Sequence, residues 1–345
     1  MDAHVAKISI AGLTPDEVAD LLAARNIDRK YAATLTYYIY KKRIPAIAEM
    51  TGISVRVRAE IERYFDTGII PPAERLESAD GSVKYIFTYN GERTIEAVFI
   101  PEARRNTLCV STQCGCACSC LYCRTGAMGL TGDLTAGEIV NQLLSIREAA
   151  TVTHVVFMGM GEPLDNLAEV IRGISILTAE WGTAIGHSHI TVSTVGILPA
   201  LKELLSATRS NITLSLVSPV SRERALLVPA ERKYPAAEII RLMRDAPQAR
   251  KRRFTVAYMM LAGINDSDDH LNALLRLLAG SAIRVNILRY HPHGDLPYQT
   301  SSDERMMYFH ARLNAANIST SIRKSRGEDI KAACGLLTGK TNRAT

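Results

Sequence analysis

The chain has 345 residues, which is enough for one large domain and a smaller one. Its 47% hydrophobic and 22% charged residues exclude a disordered chain, and no apolar run approaches the ~20 residues of a membrane helix. The net charge of +6 is compatible with a polyanionic partner without indicating one. Because the N-terminus also lacks the layout of a secretory signal, we expect a cytoplasmic protein with no membrane contact.

The first part of the chain has the pattern of a small helical domain. Thr14 is followed by a proline and, three residues on, by Glu17, which together predict a helix start with a capping box. Further helix is predicted at Tyr37–Lys42 and Val55–Phe65. We therefore predict a helical accessory domain over residues 1–75.

A β-hairpin is predicted next. Strands at Lys84–Tyr89 and Thr94–Ile100 flank Asn90-Gly91, a dipeptide that favours the type I′ turn of two-residue hairpins. The hairpin lies in a linker formed by residues 76–104.

From about residue 105, strands alternate with helices, which predicts a parallel sheet with right-handed crossovers. The predicted strands are Thr107–Thr112, His154–Met158, His189–Ser193, Asn211–Leu216, Phe254–Leu261 and Arg284–Tyr290, with a further one at Ser319–Lys324. This pattern favours an α/β fold with an open (β/α)6 barrel over residues 105–325 and a C-terminal segment, 326–345. A doubly wound sheet fits the same periodicity.

The cysteines are very unevenly placed, since six of the seven fall within residues 109–123. Cys116, Cys120 and Cys123 form the spacing C-x3-C-x2-C directly after a predicted strand. Three thiolates suit a [4Fe-4S] cluster with one iron left open, because a closed cluster takes four. A structural zinc site generally uses two separated pairs, and the sequence has no second C-x2-C.

With Tyr122 before its last cysteine, this run resembles the signature of radical S-adenosylmethionine (SAM) enzymes. Three longer stretches, Leu108–Cys116, Met158–Leu164 and Arg323–Gly335, resemble the RlmN/Cfr family. The resemblance implies a radical SAM barrel, a [4Fe-4S] cluster and SAM as cofactors. It also implies methylation of C2 or C8 of an adenosine in 23S rRNA, and of certain tRNAs in the RlmN branch.

The same resemblance implies a pair of catalytic cysteines. The methyl-carrying cysteine of the family falls on Cys334 and the resolving cysteine on Cys109. One SAM methylates Cys334, and a second yields a radical that activates this methyl group for addition to the adenine ring. Cys109 then releases the product by forming a disulfide bond with Cys334. Glu96 matches the proton acceptor of the family, although strand alternation alone would make it a solvent-facing residue.

Further positions match the family's contacts to SAM. They are Gly161, Glu162, Ser193, Ser215, Leu216, Val217 and His291. The family usually has histidine at Val217, asparagine at His291 and Ile-Asn at Ala230-Glu231. These departures leave the cluster and the cysteine pair intact and bear on the substrate and on cofactor geometry. His291 either replaces a lost hydrogen bond or marks a divergent paralogue.

Several functions remain open at this stage. Residues 161–164 favour a C2 methyltransferase, and we adopt C2 as the expectation. Residues 113–115 and 125–126 are closer to C8 enzymes of the Cfr type, which confer resistance to ribosome-targeting antibiotics, so C8 methylation is the alternative. A radical enzyme acting on a peptide or small molecule and a non-catalytic RNA-binding protein are further alternatives. We expect an electron donor such as flavodoxin or ferredoxin, and a monomer. Lys41–Arg43, beside three tyrosines, predicts that residues 1–75 bind RNA.

Overall fold

The computed structural model describes residues 7–246, 252–294 and 296–338, and its centre is an open ten-stranded sheet. The strands of the chain are β1 (Ile8–Ser9), β2 (Phe65–Asp66), β3 (Glu74–Glu77), β4 (Val83–Tyr89), β5 (Arg93–Ile100), β6 (Thr107–Val110), β7 (Gln113–Gly115), β8 (Leu130–Asp133), β9 (His154–Phe157), β10 (Ile190–Thr194), β11 (Asn211–Ser215), β12 (Phe254–Met260), β13 (Arg284–Arg289) and β14 (Thr320–Ile322). The sheet order is β14-β13-β12-β11-β10-β9-β6-β5-β4-β3.

Six consecutive strands of this sheet, β6 and β9 to β13, run parallel, and β14 adds a seventh. The helices are α1 (Pro15–Ala23), α2 (Tyr31–Tyr37), α3 (Val55–Glu62), α4 (Arg124–Ala127), α5 (Ala136–Leu144), α6 (Leu167–Thr178), α7 (Leu198–Ala207), α8 (Ser221–Leu227), α9 (Ala236–Asp245), α10 (Asp268–Leu278) and α11 (Asp303–Ala315). The parallel strands follow one another across the sheet in chain order, without the reversal that a doubly wound sheet has, and the two edge strands do not pair with each other. The predicted open α/β barrel is therefore confirmed.

The predicted hairpin is also present. It consists of β4 and β5, which pair antiparallel, and the turn places Asn90 and Gly91 at φ +52° and +75°. Two positive φ angles are what a type I′ turn requires. The hairpin joins the barrel sheet through β5 and β6, and β3 extends it by one strand that the sequence pattern did not predict.

The N-terminal helices differ in detail from the prediction. The capping box of Thr14 and Glu17 starts α1 as expected. The helix predicted from Val55 ends at Glu62, because Phe65 and its neighbour pair with β1 instead. Of the helix predicted at Tyr37–Lys42, Tyr37 ends α2 and Tyr38–Lys42 continues it as one π-helical turn, which is capped by Arg43 with φ +57°. The RNA-binding role of residues 1–75 stays a prediction.

This N-terminal segment packs directly on the barrel. The Tyr40 hydroxyl donates to the carbonyl oxygen of Leu13 and accepts from the N–H of Gly12. Arg172 of α6 donates to the carbonyl oxygen of Gly12 at 2.6 Å and forms an ion pair with Glu17. The polar groups at the start of α1 are therefore satisfied partly by Tyr40 of the same segment and partly by Arg172 of the barrel helix on which the segment lies.

The backbones of the N-terminal segment and of α5 approach each other closely at Gly12 and Gly137. A Cβ atom on Gly137 would lie 2.4 Å from the carbonyl oxygen of Ala11, and one on Gly12 would lie 2.6 Å from the Gly137 nitrogen. Only hydrogen fits between these two backbones, so both positions require glycine.

Among the residues that the structure describes, no helix has the length and apolar character needed to cross a bilayer.

We predict that Gly137→Ala lowers the free energy of unfolding by about 2 kcal/mol or more, because the added methyl group pushes the N-terminal segment off α5. Gly186→Ala is the matched control, since no atom lies within 4 Å of its Cβ position. Urea unfolding followed by circular dichroism measures both. Equal stability of the two variants would contradict the close packing.

Candidate active site

A cavity of about 440 Å³ lies inside the open barrel. One end is the cysteine-rich loop, by which we mean residues 116–129 between β7 and β8. The other end is formed by Ile100 and Glu102, which lie beside the start of β6. Eleven of the predicted site residues line it: Cys109, Cys116, Cys120, Cys123, Gly161, Glu162, Ser193, Ser215, Val217, His291 and Cys334. Leu216 and Glu96 are buried and do not line it.

The cysteine-rich loop is shaped by the short β7–β8 hairpin at its base. Gly115 has φ +78°, and a Cβ atom there would lie 1.8 Å from the carbonyl oxygen of Gly129. The same carbonyl accepts from the N–H of Cys116 at 2.9 Å. The loop therefore starts from a point where only glycine fits, which directs Cys116, Cys120 and Cys123 to one end of the cavity.

The thiols of this loop have unequal proton affinities. A hydrogen bond from the Cys118 thiol lowers the pKa of Cys116. Burial is the main cause that raises the pKa of both Cys120 and Cys123. Buried thiolates need a cationic partner, and three of them around one cavity form the donor set of an iron–sulfur cluster with an open iron. By their chemistry and their place around one cavity the three cysteines therefore fit such a cluster, although no three metal-binding side chains among the described residues converge on a site for a single metal ion.

Next to these thiols lies Glu162, which is 3% exposed. Its carboxylate accepts from the N–H groups of Leu164 and Val195, at 3.1 and 2.9 Å, and from the Thr194 hydroxyl at 2.5 Å. Burial outweighs these hydrogen bonds and raises the pKa of Glu162 to about 7. A carboxylate held this firmly at the carboxyl ends of β9 and β10 can bind an ammonium group in the cavity.

The two isolated cysteines also face this cavity. Cys109 lies in β6, and burial, followed by the nearby Cys334, raises the pKa of its thiol to about 12. Cys334 lines the cavity, and burial raises the pKa of its thiol as well, whereas the charge of Arg323 acts in the opposite direction on both thiols. All seven cysteines are free thiols, so the disulfide bond implied by the sequence resemblance is not present in this state.

The segment that carries Cys334 is anchored on two sides. On one side, the carbonyl oxygens of Gly335 and Leu337 accept from the Arg124 N–H and the Thr125 hydroxyl, at 2.9 and 2.8 Å, which joins it to the cysteine-rich loop. On the other side, Ser78 donates to Asp329 at 2.6 Å.

A further contact on that second side runs from the Gly327 N–H to Asp80 at 2.9 Å. Sequence reasoning missed Ser78, Asp80 and Asp329 as positioning residues, because nothing local relates residues 251 positions apart.

Glu96 occupies an unexpected environment. It is 1% exposed, and its carboxylate lies 3.6 Å from the ammonium group of Lys84 on β4. Along β5 it shares a face with Val98 and Ile100, which line the cavity. The residue is therefore buried, and its role as a proton acceptor stays a proposal.

Comparison with known proteins identifies the family. Residues 110–278 match the family model described as the radical SAM superfamily. The chain is 41% identical, over 98% of both chains, to a probable dual-specificity RNA methyltransferase RlmN of Parabacteroides distasonis, and 36% identical to the RlmN of Geobacter sulfurreducens over 96% of this chain and 92% of that one.

The chain belongs to the RlmN family. A solved structure agrees: a radical SAM methyltransferase from Sphaerobacter thermophilus superimposes with a TM-score of 0.92 at 35% identity, covering 96% of this chain and 100% of that one. A [4Fe-4S] cluster and SAM are the cofactors of a radical SAM enzyme of this family.

Two of the departures from the usual RlmN residues have a structural account here. Glu231 forms an ion pair with Arg224, and both side chains are buried. Arg224 also donates to the carbonyl oxygens that follow β10 and end β11: Val195, Ser215 and Leu216. His291 is within 2.9 Å of the Ser325 hydroxyl, so its imidazole contacts the segment that carries Cys334.

The third departure, Val217, has φ +60°. This left-handed conformation costs a β-branched residue roughly 1–2 kcal/mol. Asn265 holds it by donating to the carbonyl oxygens of Val217 and Met259, both at 2.7 Å. The backbone turn at this position is thus kept although the imidazole usual in the RlmN family is absent.

We predict a pH effect from Glu162. Because its pKa is about 7 in the folded protein and 4.5 for an ordinary glutamate, the folded state keeps a proton that the unfolded chain releases between these values. The free energy of unfolding of the apoprotein should therefore lose about 3 kcal/mol through this group as pH rises from 4.5 to 7. Glu162→Gln should remove this component of the pH dependence.

Urea unfolding at pH 5.0 to 7.5 measures the effect as the difference between wild type and variant. The exposed Glu180→Gln variant controls for the chemical change and should keep the wild-type profile. Parallel profiles for wild type and Glu162→Gln would show that Glu162 stays ionised in the folded protein.

Proposed function

We propose that this protein is a methyltransferase that modifies an adenosine of RNA, both 23S rRNA and tRNA, at C2 and through a methyl group carried on Cys334. The observation that supports this most directly is that Cys109, Cys334 and the three clustered cysteines line one cavity. The names of the RNA-modifying relatives support the substrate class.

In this proposal, the position of each residue in the cavity determines its role. Cys116, Cys120 and Cys123 hold the cluster, and the Glu162 carboxylate binds the ammonium group of SAM beside it. When bound, the cluster and SAM supply a carbon radical able to remove hydrogen from a methyl group. Ser193 and Ser215 follow Glu162 around the cavity at the ends of β10 and β11 and offer hydroxyl contacts to the same cofactor.

Cys334 and Cys109 act in sequence. Cys334 accepts the methyl group, and its carbon, after losing one hydrogen atom, bonds to the adenine. The adduct then gives up the adenine proton and one electron, which replaces the electron spent on SAM cleavage, so that enzyme and RNA remain linked through a thioether. The Cys109 thiolate attacks the Cys334 sulfur, the sulfur–carbon bond breaks with its electron pair moving to the carbon, the carbon takes up a proton to complete the methyl group, and a disulfide bond forms. Burial raises the pKa of Cys109 and so disfavours the thiolate that this attack requires. The positive charge of Arg323 acts in the opposite direction and assists the attack. Glu96 is proposed as the acceptor of the adenine proton.

The proposal also covers the methylated carbon, the location of the protein, its oligomeric state and its electron donor. The sequence Gly-Glu-Pro-Leu at 161–164 supports C2, and C8 modification is the alternative that product mapping decides. Joint retention of Cys109, Cys334 and the cluster trio argues against a non-catalytic RNA-binding protein. We further propose a cytoplasmic monomer that receives electrons from a flavodoxin or ferredoxin.

The test uses anaerobic holoenzyme, labelled SAM, protein-free 23S rRNA and bulk tRNA, with modified adenosines mapped by mass. Wild type should form 2-methyladenosine. Cys334→Ala should cleave SAM without methylating RNA, and Cys109→Ala should remain covalently attached to RNA on a denaturing gel. Normal turnover by Cys109→Ala would refute the two-cysteine route, and 8-methyladenosine as product would refute the C2 assignment.

Cluster binding is tested separately by iron content and visible absorbance after anaerobic purification. Cys116→Ala, Cys120→Ala and Cys123→Ala should each lose the cluster, because three ligands are the full protein contribution. Cys114→Ala is the matched control, since that thiol instead donates to the carbonyl oxygen of Thr94 at 3.2 Å. Iron retained after loss of any trio cysteine, or zinc in its place, would contradict the assignment.

A further inference from the structure

The amino ends of the barrel strands share a chemical feature that the proposed chemistry does not use. Each of the six parallel barrel strands starts at, or within two residues after, an arginine or a histidine. We call these residues the basic rim: Arg105, His154, His189, Arg209, Arg253 and Arg284. No aspartate or glutamate occupies the corresponding positions of the six strands.

Strand register places the rim residues along one edge. His154 pairs with Thr107, two residues after Arg105, and its ring lies 4.5 Å from that of His189. On the other side, Phe254, which follows Arg253, pairs with Ile212, and Thr255 pairs with Arg284. Parallel strands in register therefore align all these side chains at the edge opposite the loops that hold the cofactors.

The positive charge of this edge is largely uncompensated. Among the described residues, no rim side chain forms an ion pair with a carboxylate, and Arg209, Arg253 and Arg284 are exposed. Burial and then the charges of Arg105, His189 and Arg253 lower the pKa of His154 to about 4, which keeps that imidazole neutral at pH 7. Single-sign charge without partners attracts a polyanion.

The cavity comes close to this edge at β6. Its lining runs from the cysteine trio past Cys109 and Thr213 to Ile100 and Glu102 beside the start of β6, and includes no side chain of the rim itself. Arg323 also lines it, and its charge acts on Arg105 of the rim as well as on the two catalytic thiols. Glu102 is a single acidic residue at this end. One end of the cavity therefore holds the cofactor residues, and the other lies near Arg105 of the rim.

We propose that the basic rim binds backbone phosphates of the RNA strand that carries the target adenosine, and that the base enters the barrel from this edge to reach Cys334. This inference rests on the proposed function and adds the surface that binds the substrate. Arginine suits this role because its guanidinium can bind phosphate oxygens in a bidentate manner. Such contacts position the RNA without reading its sequence.

The test compares holoenzyme variants in binding to protein-free 23S rRNA and bulk tRNA over a range of salt concentrations. Arg105→Gln/Arg253→Gln removes two rim charges, and the matched control Arg241→Gln/Arg276→Gln removes two exposed charges from the outer helices α9 and α10. The rim variant should bind at least about tenfold more weakly near 0.1 M salt, with a slope of log K against log salt shallower by about two. Arg105→Lys/Arg253→Lys should keep the wild-type slope.

Iron content and thermal unfolding of each variant separate lost binding from misfolding, and the lysine variant keeps the test valid if the glutamine variant is unstable. Equal affinity and slope for the rim and control variants would overturn this inference alone, provided that wild type methylates the same RNA. A lysine variant with a shallower slope would also overturn it. A wild type that neither binds nor methylates RNA would overturn the proposed function and this inference together.

Discussion

The architecture of the site depends on two buried ionisable side chains that tie the carboxyl ends of neighbouring strands together. The Glu162 carboxyl group joins the loop after β9 to the end of β10, and the Arg224 guanidinium joins the residues that follow β10 to those that end β11. Burying either polar group without partners would cost several kcal/mol, so each is surrounded by hydrogen-bond partners and Arg224 has Glu231 as counter-ion. The cavity walls keep their shape because these side chains cannot leave their partners.

Much of this arrangement could be predicted from local sequence. Thr14 with Glu17, Asn90-Gly91 and the apolar strands are patterns of adjacent residues, and the structure contains each of them. The C-x3-C-x2-C spacing likewise placed three thiols in one loop. The sequence pattern predicted too long a helix at Phe65. This residue pairs with a strand that lies 57 residues earlier, and a local pattern contains no information about so distant a partner.

Local sequence could not predict the contacts between residues that are far apart in the chain. Alternation alone made Glu96 a solvent-facing residue, whereas both faces of β5 are buried around it and Lys84 of the adjoining strand lies beside its carboxylate. The convergence of Cys109 and Cys334 came from family resemblance, since no spacing relates them. The pairing of Arg224 with Glu231 turns an apparent departure from the family into a compensated one, which only three-dimensional contacts reveal.

The contacts of Asp80 and Ser78 with the Cys334 segment also have a consequence for the order of folding. They close a loop of about 250 residues, and closing a loop costs more chain entropy the longer it is. The hairpin, the barrel strands and the cysteine-rich loop are built from contacts nearer in sequence, so we expect them to form before this closure. In that order of events, the cysteine-rich loop is accessible to an incoming iron–sulfur cluster until the Cys334 segment closes over it.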